Sequence, residues 1–358
     1  MIQRVAVVGA GTMGLGIAQL CAQSGFSVKV HDPLAAALES MPGRLRKSLD
    51  LAVLKGRIAT QQADRAYHSI SPAPALSDLA GAELVIEAAP ENLGLKQELF
   101  AQLSKICPDA LLATNTSSLS VAEIMARVEY PERTLGIHFF NPPVAMRLVE
   151  MVRTDKTGQE AFHAAWDFLL TALRRTPVDV KDVPGFIVNR TMRPYYVACQ
   201  RLANAATGFS AIDAACRTLG GVPMGPFELM DLIGLDTNLS ITKSIYEALG
   251  RPERFAPPAL QQALVTAGLA GRKSGKGFYL YDNGKKTAVN PMAVGLLGAG
   301  PALGADDIWK KFRGALMAEA ERVVSEGTAS ATDVDTAIKL AMNFPKGPFE
   351  WRKESTAA

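Results

Sequence analysis

The chain has 358 residues, 48% of them hydrophobic, 20% charged and 7% aromatic, with a formal net charge of +3. That length allows two or three domains with a large buried core, and the composition excludes intrinsic disorder and collagen-like repeats. So small a net charge, with no dense Lys/Arg tract interleaved with aromatics, argues against nucleic acid as a partner.

The N-terminus enters an apolar run without a charged leader and cleavage site, so no signal peptide is expected. No stretch reaches the roughly 18 apolar residues that a membrane span needs, and a soluble cytoplasmic protein is expected. Strand-like runs follow in order: Val5–Val8, Val28–Val30, Leu84–Ile86, Leu111–Thr114, Leu135–Phe139 and Arg147–Val152. Helix-period segments such as Gly14–Ser24 and Leu95–Ile106 lie between them, and this alternation predicts an α/β fold with a parallel sheet covered by helices. Residues 34–67 hold two helical stretches and are expected to form a helical arm. A boundary falls near residue 182, so residues 1–182 are read as the first domain.

Residues 183–282 read as a helical domain, closed by an irregular or extended tail over Gly271–Tyr281. Residues 283–305, rich in Gly, Ala and Pro, read as a linker. Residues 306–358 return to helix and carry an internal repeat. Met224-Gly-Pro-Phe-Glu228 and Lys346-Gly-Pro-Phe-Glu350 each follow an Asp (Asp213, Asp335) that precedes the Glu by fifteen positions.

Four cysteines (Cys21, Cys107, Cys199, Cys216) make no C-x-x-C pair and read as reduced core residues. The four histidines (His31, His68, His138, His163) include no pair at ligand spacing, so no metal site is expected.

Gly9-Ala-Gly11-Thr12-Met13-Gly14 follows a strand and opens a helix, where a dinucleotide fingerprint belongs. Gly9 permits the turn, Gly11 admits the pyrophosphate, and Gly14 brings helix and sheet together. The helix N-terminus faces the phosphates. Eighteen residues beyond Gly14, Asp32 ends the second strand, placed to accept the adenosine ribose hydroxyls and favour NAD over NADP. His31 reads as its solvated neighbour, without chemistry.

Oxidising an alcohol requires a base for the hydroxyl proton and a group that holds the base. His138 ends one strand, and Glu150 lies twelve positions on, inside a second apolar strand where a carboxylate needs a partner. Paired across neighbouring strands, Glu150 would fix the imidazole tautomer. A core histidine and an unrelated edge-strand glutamate is the other reading of the same spacing.

The fingerprint, Glu87-Ala-Ala-Pro-Glu91-Asn, Asn115-Thr-Ser117-Ser118-Leu, His138-Phe-Phe-Asn141-Pro and Leu148-Val-Glu150 together resemble the L-3-hydroxyacyl-CoA dehydrogenase family. Pro184-Gly185-Phe-Ile-Val-Asn189-Arg, Met224-Gly-Pro-Phe-Glu-Leu and Gly275-Lys-Gly-Phe-Tyr extend the resemblance to about residue 282. It implies a Rossmann-type domain, a helical domain and NAD-dependent interconversion of (S)-3-hydroxyacyl-CoA and 3-ketoacyl-CoA. On matching positions it implies His138 as general base, Glu150 as its orienting partner, and Ser117 and Asn189 as hydrogen-bond donors to the substrate oxygen, in a cleft between domains. Beside the glycine loop and Asp32, it implies Glu91, Lys96, Ser117, Asn141 and Lys273 at NAD and Ser48 and Lys55 at CoA. Arg44, Arg46, Lys47, Lys55 and Arg57 form an edge for the CoA phosphates or a solvated basic face.

Two other readings remain at this level. Related dehydrogenases of free 3-hydroxy acids such as carnitine or gulonate tend to carry His-Pro where this chain has His138-Phe139. A non-catalytic NAD-binding structural protein would have lost one of Ser117, His138, Glu150 and Asn189, all of which are present. The resemblance to a one-copy enzyme ends near Tyr281, and no hydratase-like segment precedes residue 1, so only dehydrogenase activity is implied. Residues 306–358 are expected to pack on residues 186–270, either in the place of a partner subunit in a monomer or beside the interface of a homodimer.

Overall fold

The computed structural model describes residues 2–355, without the side chains of residues 354 and 355; the last three residues of the 306–358 repeat lie outside it. The chain divides into two compact units, residues up to Asp182 and from Val183 on.

The first unit is built on eight strands: β1 (Arg4–Val8), β2 (Ser27–His31), β3 (Ile70–Ala73), β4 (Leu84–Glu87), β5 (Leu111–Thr114), β6 (Thr134–Phe139), β7 (Leu148–Arg153) and β8 (Thr176–Lys181). Their order is β3-β2-β1-β4-β5-β6-β7-β8. Every pairing is parallel, as expected, except β6 with β7, which run antiparallel. The Asn141–Pro143 segment brings the chain straight back beside β6, without a crossover helix.

Helices α1 (Thr12–Gln23), α2 (Ala35–Leu54), α3 (Thr60–His68), α4 (Leu93–Ile106), α5 (Val121–Ile124) and α6 (Gln159–Asp167) complete this unit. Val5, Val7, Val28, Val30, Leu84 and Ile86 from the central strands pack with Ile17, Leu20 and Cys21 of α1 into one core. Burying each such side chain contributes about 1.5–3 kcal/mol.

The expected arm at 34–67 corresponds to α2 and α3. It does not simply stand off the body, because Leu38, Met41, Leu45 and Leu49 recur along one face of α2 and join the core. At the distal end even the apolar Leu51 and Leu54 are exposed.

The edge strands β3 and β8 were not read in the sequence. Each carries a proline (Pro72, Pro177), which an edge tolerates and which weakens the strand signal. β3 also corrects the reading of His31, which is buried with Nδ1 2.8 Å from Ala73 O rather than solvated, because β3 covers the outer side of β2.

The second unit holds α7 (Val188–Leu202), α8 (Phe209–Gly220), α9 (Pro226–Ile233), α10 (Leu235–Ala248), α11 (Ala259–Thr266), α12 (Pro291–Val294), α13 (Ala305–Ser325), α14 (Ala331–Met342) and α15 (Pro348–Ser355). Of the stretch read as a linker, residues 297–304 form no regular element, whereas the residues before them are structured. β9 (Tyr279–Asp282) and β10 (Lys285–Val289) form an antiparallel hairpin, and Asn290 caps α12 through Met292 N. Composition misled because the Asn283-Gly284 turn supplies the left-handed backbone of a tight hairpin, with φ of 46° and 74°.

The two repeat copies share several bonds at matching positions. The Asp213 carboxylate accepts Phe227 N and Glu228 N at 2.9 and 3.2 Å, and Asp335 accepts Phe349 N at 2.8 Å. Arg217 pairs with Glu228, as Lys339 does with Glu350. Gly221 and Asn343, eight positions after each Asp, both adopt a left-handed backbone at φ 64° and 56°. A Cβ on Gly225 or Gly347 would lie 2.3 Å from the aspartate it faces, so the motif requires glycine. α13 packs lengthwise on α7 and α8.

Candidate active site

In open α/β sheets ligands bind beyond the strand C-termini where strand order reverses. Here the chain leaves β1 toward β2 and β3 and returns on the other side at β4, so the reversal lies between β1 and β4. Gly9 sits at that point with φ +107°, and its Cβ would come within 2.6 Å of Ala88 O after β4. A Cβ on Gly14 would meet Gly9 O at 1.8 Å, which is why the loop and α1 approach only through glycine.

Three observations fit this loop to a dinucleotide. α1 begins after Gly11 with no side-chain cap, as do α2, α3 and α6 of this unit. The first N–H groups of α1 therefore point at a ligand or water. A Cβ on Gly11 would meet nothing within 4 Å, which leaves open space over the loop, and Gly11 and Thr12 are exposed with Met13 partly so. Asp32 accepts Ala10 N at 2.8 Å and Leu34 N at 2.9 Å, which holds its carboxylate at the end of β2 beside the loop. Arg44 donates to Ala10 O at 2.8 Å, so this basic residue braces the loop.

Across the reversal, Glu87 is fully buried at the end of β4 and takes three donors: Lys96 Nζ at 2.5 Å, Ala89 N at 2.6 Å and Thr114 Oγ1 at 2.6 Å. Lys96 is itself buried, with Glu91 at 3.5 Å, and is no solvated helix lysine. One oxygen of Glu91 gathers Thr116 Oγ1 at 2.6 Å, Ser118 Oγ at 3.0 Å and the N–H groups of Ser117 and Ser118 at 3.1 Å. Desolvation alone would raise the Glu91 carboxyl, but the Thr116 hydroxyl, the Lys96 ammonium and the serine donors outweigh it and hold the group below its ordinary value. Ser117 thus has its backbone anchored while its hydroxyl stays at the loop surface.

Asn115 ties this loop to β6, accepting Phe139 N at 2.8 Å, one residue after His138. On the sheet, His138 and Glu150 are direct partners in the antiparallel β6–β7 register. Both are buried, and Nδ1 lies 2.6 Å from Glu150 Oε2. With Nδ1–H donated to the carboxylate, the reactive lone pair is on Nε2. The Phe140 ring stands 4.6 Å from the imidazole. Asn141, exposed, opens the turn to β7 through a cis bond to Pro142.

The remaining candidates lie on or just after α2, or in the second unit. Ser48 on α2 and Lys55, which follows its last residue, are exposed, while Arg46 is engaged by Asp50 and Asp64. In the second unit, Asn189 opens α7 after Gly185 and Phe186, both at positive φ (79° and 49°). Phe186 is buried in that uncommon backbone, a strain the surrounding packing sustains to aim the helix start. Lys273 is paired with Asp236 at 2.7 Å, which holds the Asp236 carboxyl below its ordinary value.

Residues that sequence reasoning missed are the supports: Glu87, Thr116 and Asn115. Glu87 carried a legible signal, an acid closing the apolar run Leu84–Glu87. Among the described residues no helix is long and apolar enough to cross a membrane.

Known proteins share this sequence pattern and fold. Residues 4–183 match the family model described as 3-hydroxyacyl-CoA dehydrogenase, NAD binding domain. Residues 185–281 and 308–357 match the one described as 3-hydroxyacyl-CoA dehydrogenase, C-terminal domain. The chain is 40% identical over 342 residues to a 3-hydroxyadipyl-CoA dehydrogenase of Escherichia coli, covering 95% of this chain and 70% of the relative. It is 41% identical to a 3-hydroxybutyryl-CoA dehydrogenase of Mycobacterium tuberculosis over 78% of this chain and 99% of that one. A crystal structure of a 3-hydroxybutyryl-CoA dehydrogenase from Escherichia coli superposes with a TM-score of 0.87 at 32% identity, covering 99% of this chain and 92% of the other.

Proposed function

The chain belongs to the 3-hydroxyacyl-CoA dehydrogenase family, and we propose that His138, Glu150, Ser117 and Asn189 carry its chemistry, the reversible NAD-dependent oxidation of a 3-hydroxyacyl-CoA to the 3-ketoacyl-CoA. The observation that carries the assignment is the buried 2.6 Å contact of His138 Nδ1 with Glu150.

NAD+, when bound, supplies the acceptor for the hydride that leaves C3. The glycine loop and the uncapped start of α1 bind its pyrophosphate, and Asp32 takes the ribose hydroxyls and disfavours a 2′-phosphate. Glu91, Lys96, Asn141 and Lys273 are read as the wall around the nicotinamide, Glu91 and Lys96 acting through the Thr116–Ser118 loop they hold. His138 Nε2 takes the 3-hydroxyl proton as the C3–O bond gains double-bond character. Glu150 keeps the tautomer and stabilises the imidazolium. The Ser117 hydroxyl and Asn189 amide hold the oxygen. In the reverse direction the imidazolium returns the proton to the ketone oxygen. Ser48 and Lys55 are read as CoA contacts on the open face of α2.

The thioester is the part of the substrate that separates this reading from a free-acid dehydrogenase. Turnover of acetoacetyl-CoA with NADH, and none of free acetoacetate, is the expected result; efficient reduction of the free acid would overturn the acyl-CoA assignment. Residues 306–358 are further read as standing where a partner's helices would pack in a one-copy enzyme. A dimer that survives deletion of residues 290–358 would count against that.

A further inference from the structure

Arg193 is a guanidinium without a counter-charge among the described residues. It is 3% exposed on α7, and among the described residues no carboxylate pairs with it. Its bonds go to neutral oxygens: Nε donates to Asn189 O at 3.2 Å, and Nη1 donates to Asn238 O at 3.1 Å and Thr242 Oγ1 at 3.4 Å. The guanidinium lies over the Tyr196 ring, 4.8 Å from its centre. Burial pulls its pKa down to about 10, which leaves it charged at neutral pH. Arg190, three residues earlier and equally buried, contrasts with it by pairing with both Glu319 and Glu326.

A second donor nearby is also unmet. Asn238, fully buried on α10 and already bonded to Arg193 through its carbonyl, has an Nδ2 without an acceptor. A buried cation and a buried amide N–H each carry a desolvation penalty that carbonyl dipoles only partly offset. An anion accepting from both would offset it.

We infer that Arg193, with Asn238, receives a carboxylate at the far end of the acyl chain, so that the substrate class is an ω-carboxy-3-hydroxyacyl-CoA. This rests on Asn189 meeting the C3 oxygen. Four residues along a helix rise about 6 Å, and an arginine side chain leans back toward the N-terminus, as the Arg193–Asn189 bond shows. Three carbon–carbon bonds span about 4 Å, as three backbone bonds do between successive Cα atoms, and the terminal oxygens add the remainder. The guanidinium therefore lies within one helical turn of Asn189, a reach that a carboxylate three carbons beyond C3 can span. The CoA phosphates cannot, because the thioester and the pantetheine arm separate them from C3.

The test compares 3-hydroxyadipyl-CoA with 3-hydroxyhexanoyl-CoA, equal in length and different only in the terminal carboxylate. Wild type should favour the first in kcat/KM. In Arg193→Met that preference should fall by about 10–100-fold, the range expected for losing a charge-assisted hydrogen bond, and Arg193→Lys should restore part of it. An unchanged ratio in Arg193→Met overturns the inference. So does a wild-type preference for the uncharged chain, a comparison that stands even if the methionine variant fails to fold. Asn189→Ala reports separately on the underlying reading. It should slow both substrates alike, and full turnover of both would remove Asn189 from the oxygen while leaving the Arg193 ratio to be judged by itself.

Discussion

Glu319 of α13 and Arg190 of α7 form a buried ion pair, with Oε1 2.8 Å from Nε. The other oxygen of Glu319 takes Arg254 at 2.6 Å, and Arg190 also reaches Glu326 at 2.7 Å. The repeated region thus holds the residue that follows Asn189. Removing one partner of a buried pair leaves the other charge stranded, typically at about 3–5 kcal/mol, whereas replacing both with apolar residues is often near neutral. Glu319→Ala should lose stability on that scale in urea unfolding, and Arg190→Met/Glu319→Leu should recover most of it. A loss under about 1 kcal/mol for the single variant would show that the pair contributes little.

His138→Ala should retain NADH binding by fluorescence titration and lose about 10²–10⁴-fold in kcat, the usual value of one positioned acid–base group. Glu150→Gln keeps the shape and removes the charge that stabilises the imidazolium. Its loss should fall on kcat more than on KM. Near wild-type turnover in either variant is the result that defeats the assignment.

The coenzyme loop makes a steric prediction. Because a Cβ on Gly14 would lie 1.8 Å from Gly9 O, Gly14→Ala should abolish NADH binding. Asp32→Ala loses both the acceptor for Ala10 N and the negative charge at the end of β2. The ratio of kcat/KM for NADH to that for NADPH should drop at least about tenfold, a change of about 1.4 kcal/mol. A ratio that does not move would remove Asp32 from the ribose.

Asp213 and Asp231 give the helical unit a pH dependence. Burial lifts the Asp213 carboxyl to about 7 against the bonds from Tyr279, Phe227 and Glu228, and lifts Asp231 to about 6 against those from Tyr279, Phe278 and Tyr281. Between the ordinary carboxylate value and these raised ones, the folded chain binds more protons than the unfolded chain, so stability falls as pH rises. Glu91 and Glu228, both lowered, act in the opposite sense but below the ordinary carboxylate range. From pH 5 to pH 8, wild type should therefore lose stability relative to Asp213→Asn by about 1 kcal/mol or more, in paired urea titrations. A gap constant with pH would count against the raised carboxyl.

Much of this was legible because the residues obey local rules. The glycine loop, the strand before it and Asp32 are contiguous and periodic, and an acid at position 150 inside an apolar run announced a partner. What stayed hidden depends on tertiary placement. β3 and β8 are short, proline-bearing edges. The burial of His31 follows from β3 and could not be seen without it. Glycine-rich composition at 283–304 looked like slack chain, whereas a hairpin turn and a capped helix use its first twelve residues, 283–294. The partners of Arg190 lie 129 and 136 positions away, and that no acid among the described residues pairs with Arg193 shows only once the helices are packed.

The packing of α13 on α7 and α8 joins parts of one polypeptide. Covalent linkage makes that contact a unimolecular event, with an effective local concentration fixed by the intervening hairpin and α12 and not by how much protein is present. The support it gives to the first turn of α7 therefore survives any dilution. The same contact made between separate chains would fade as the protein was diluted below its dissociation constant.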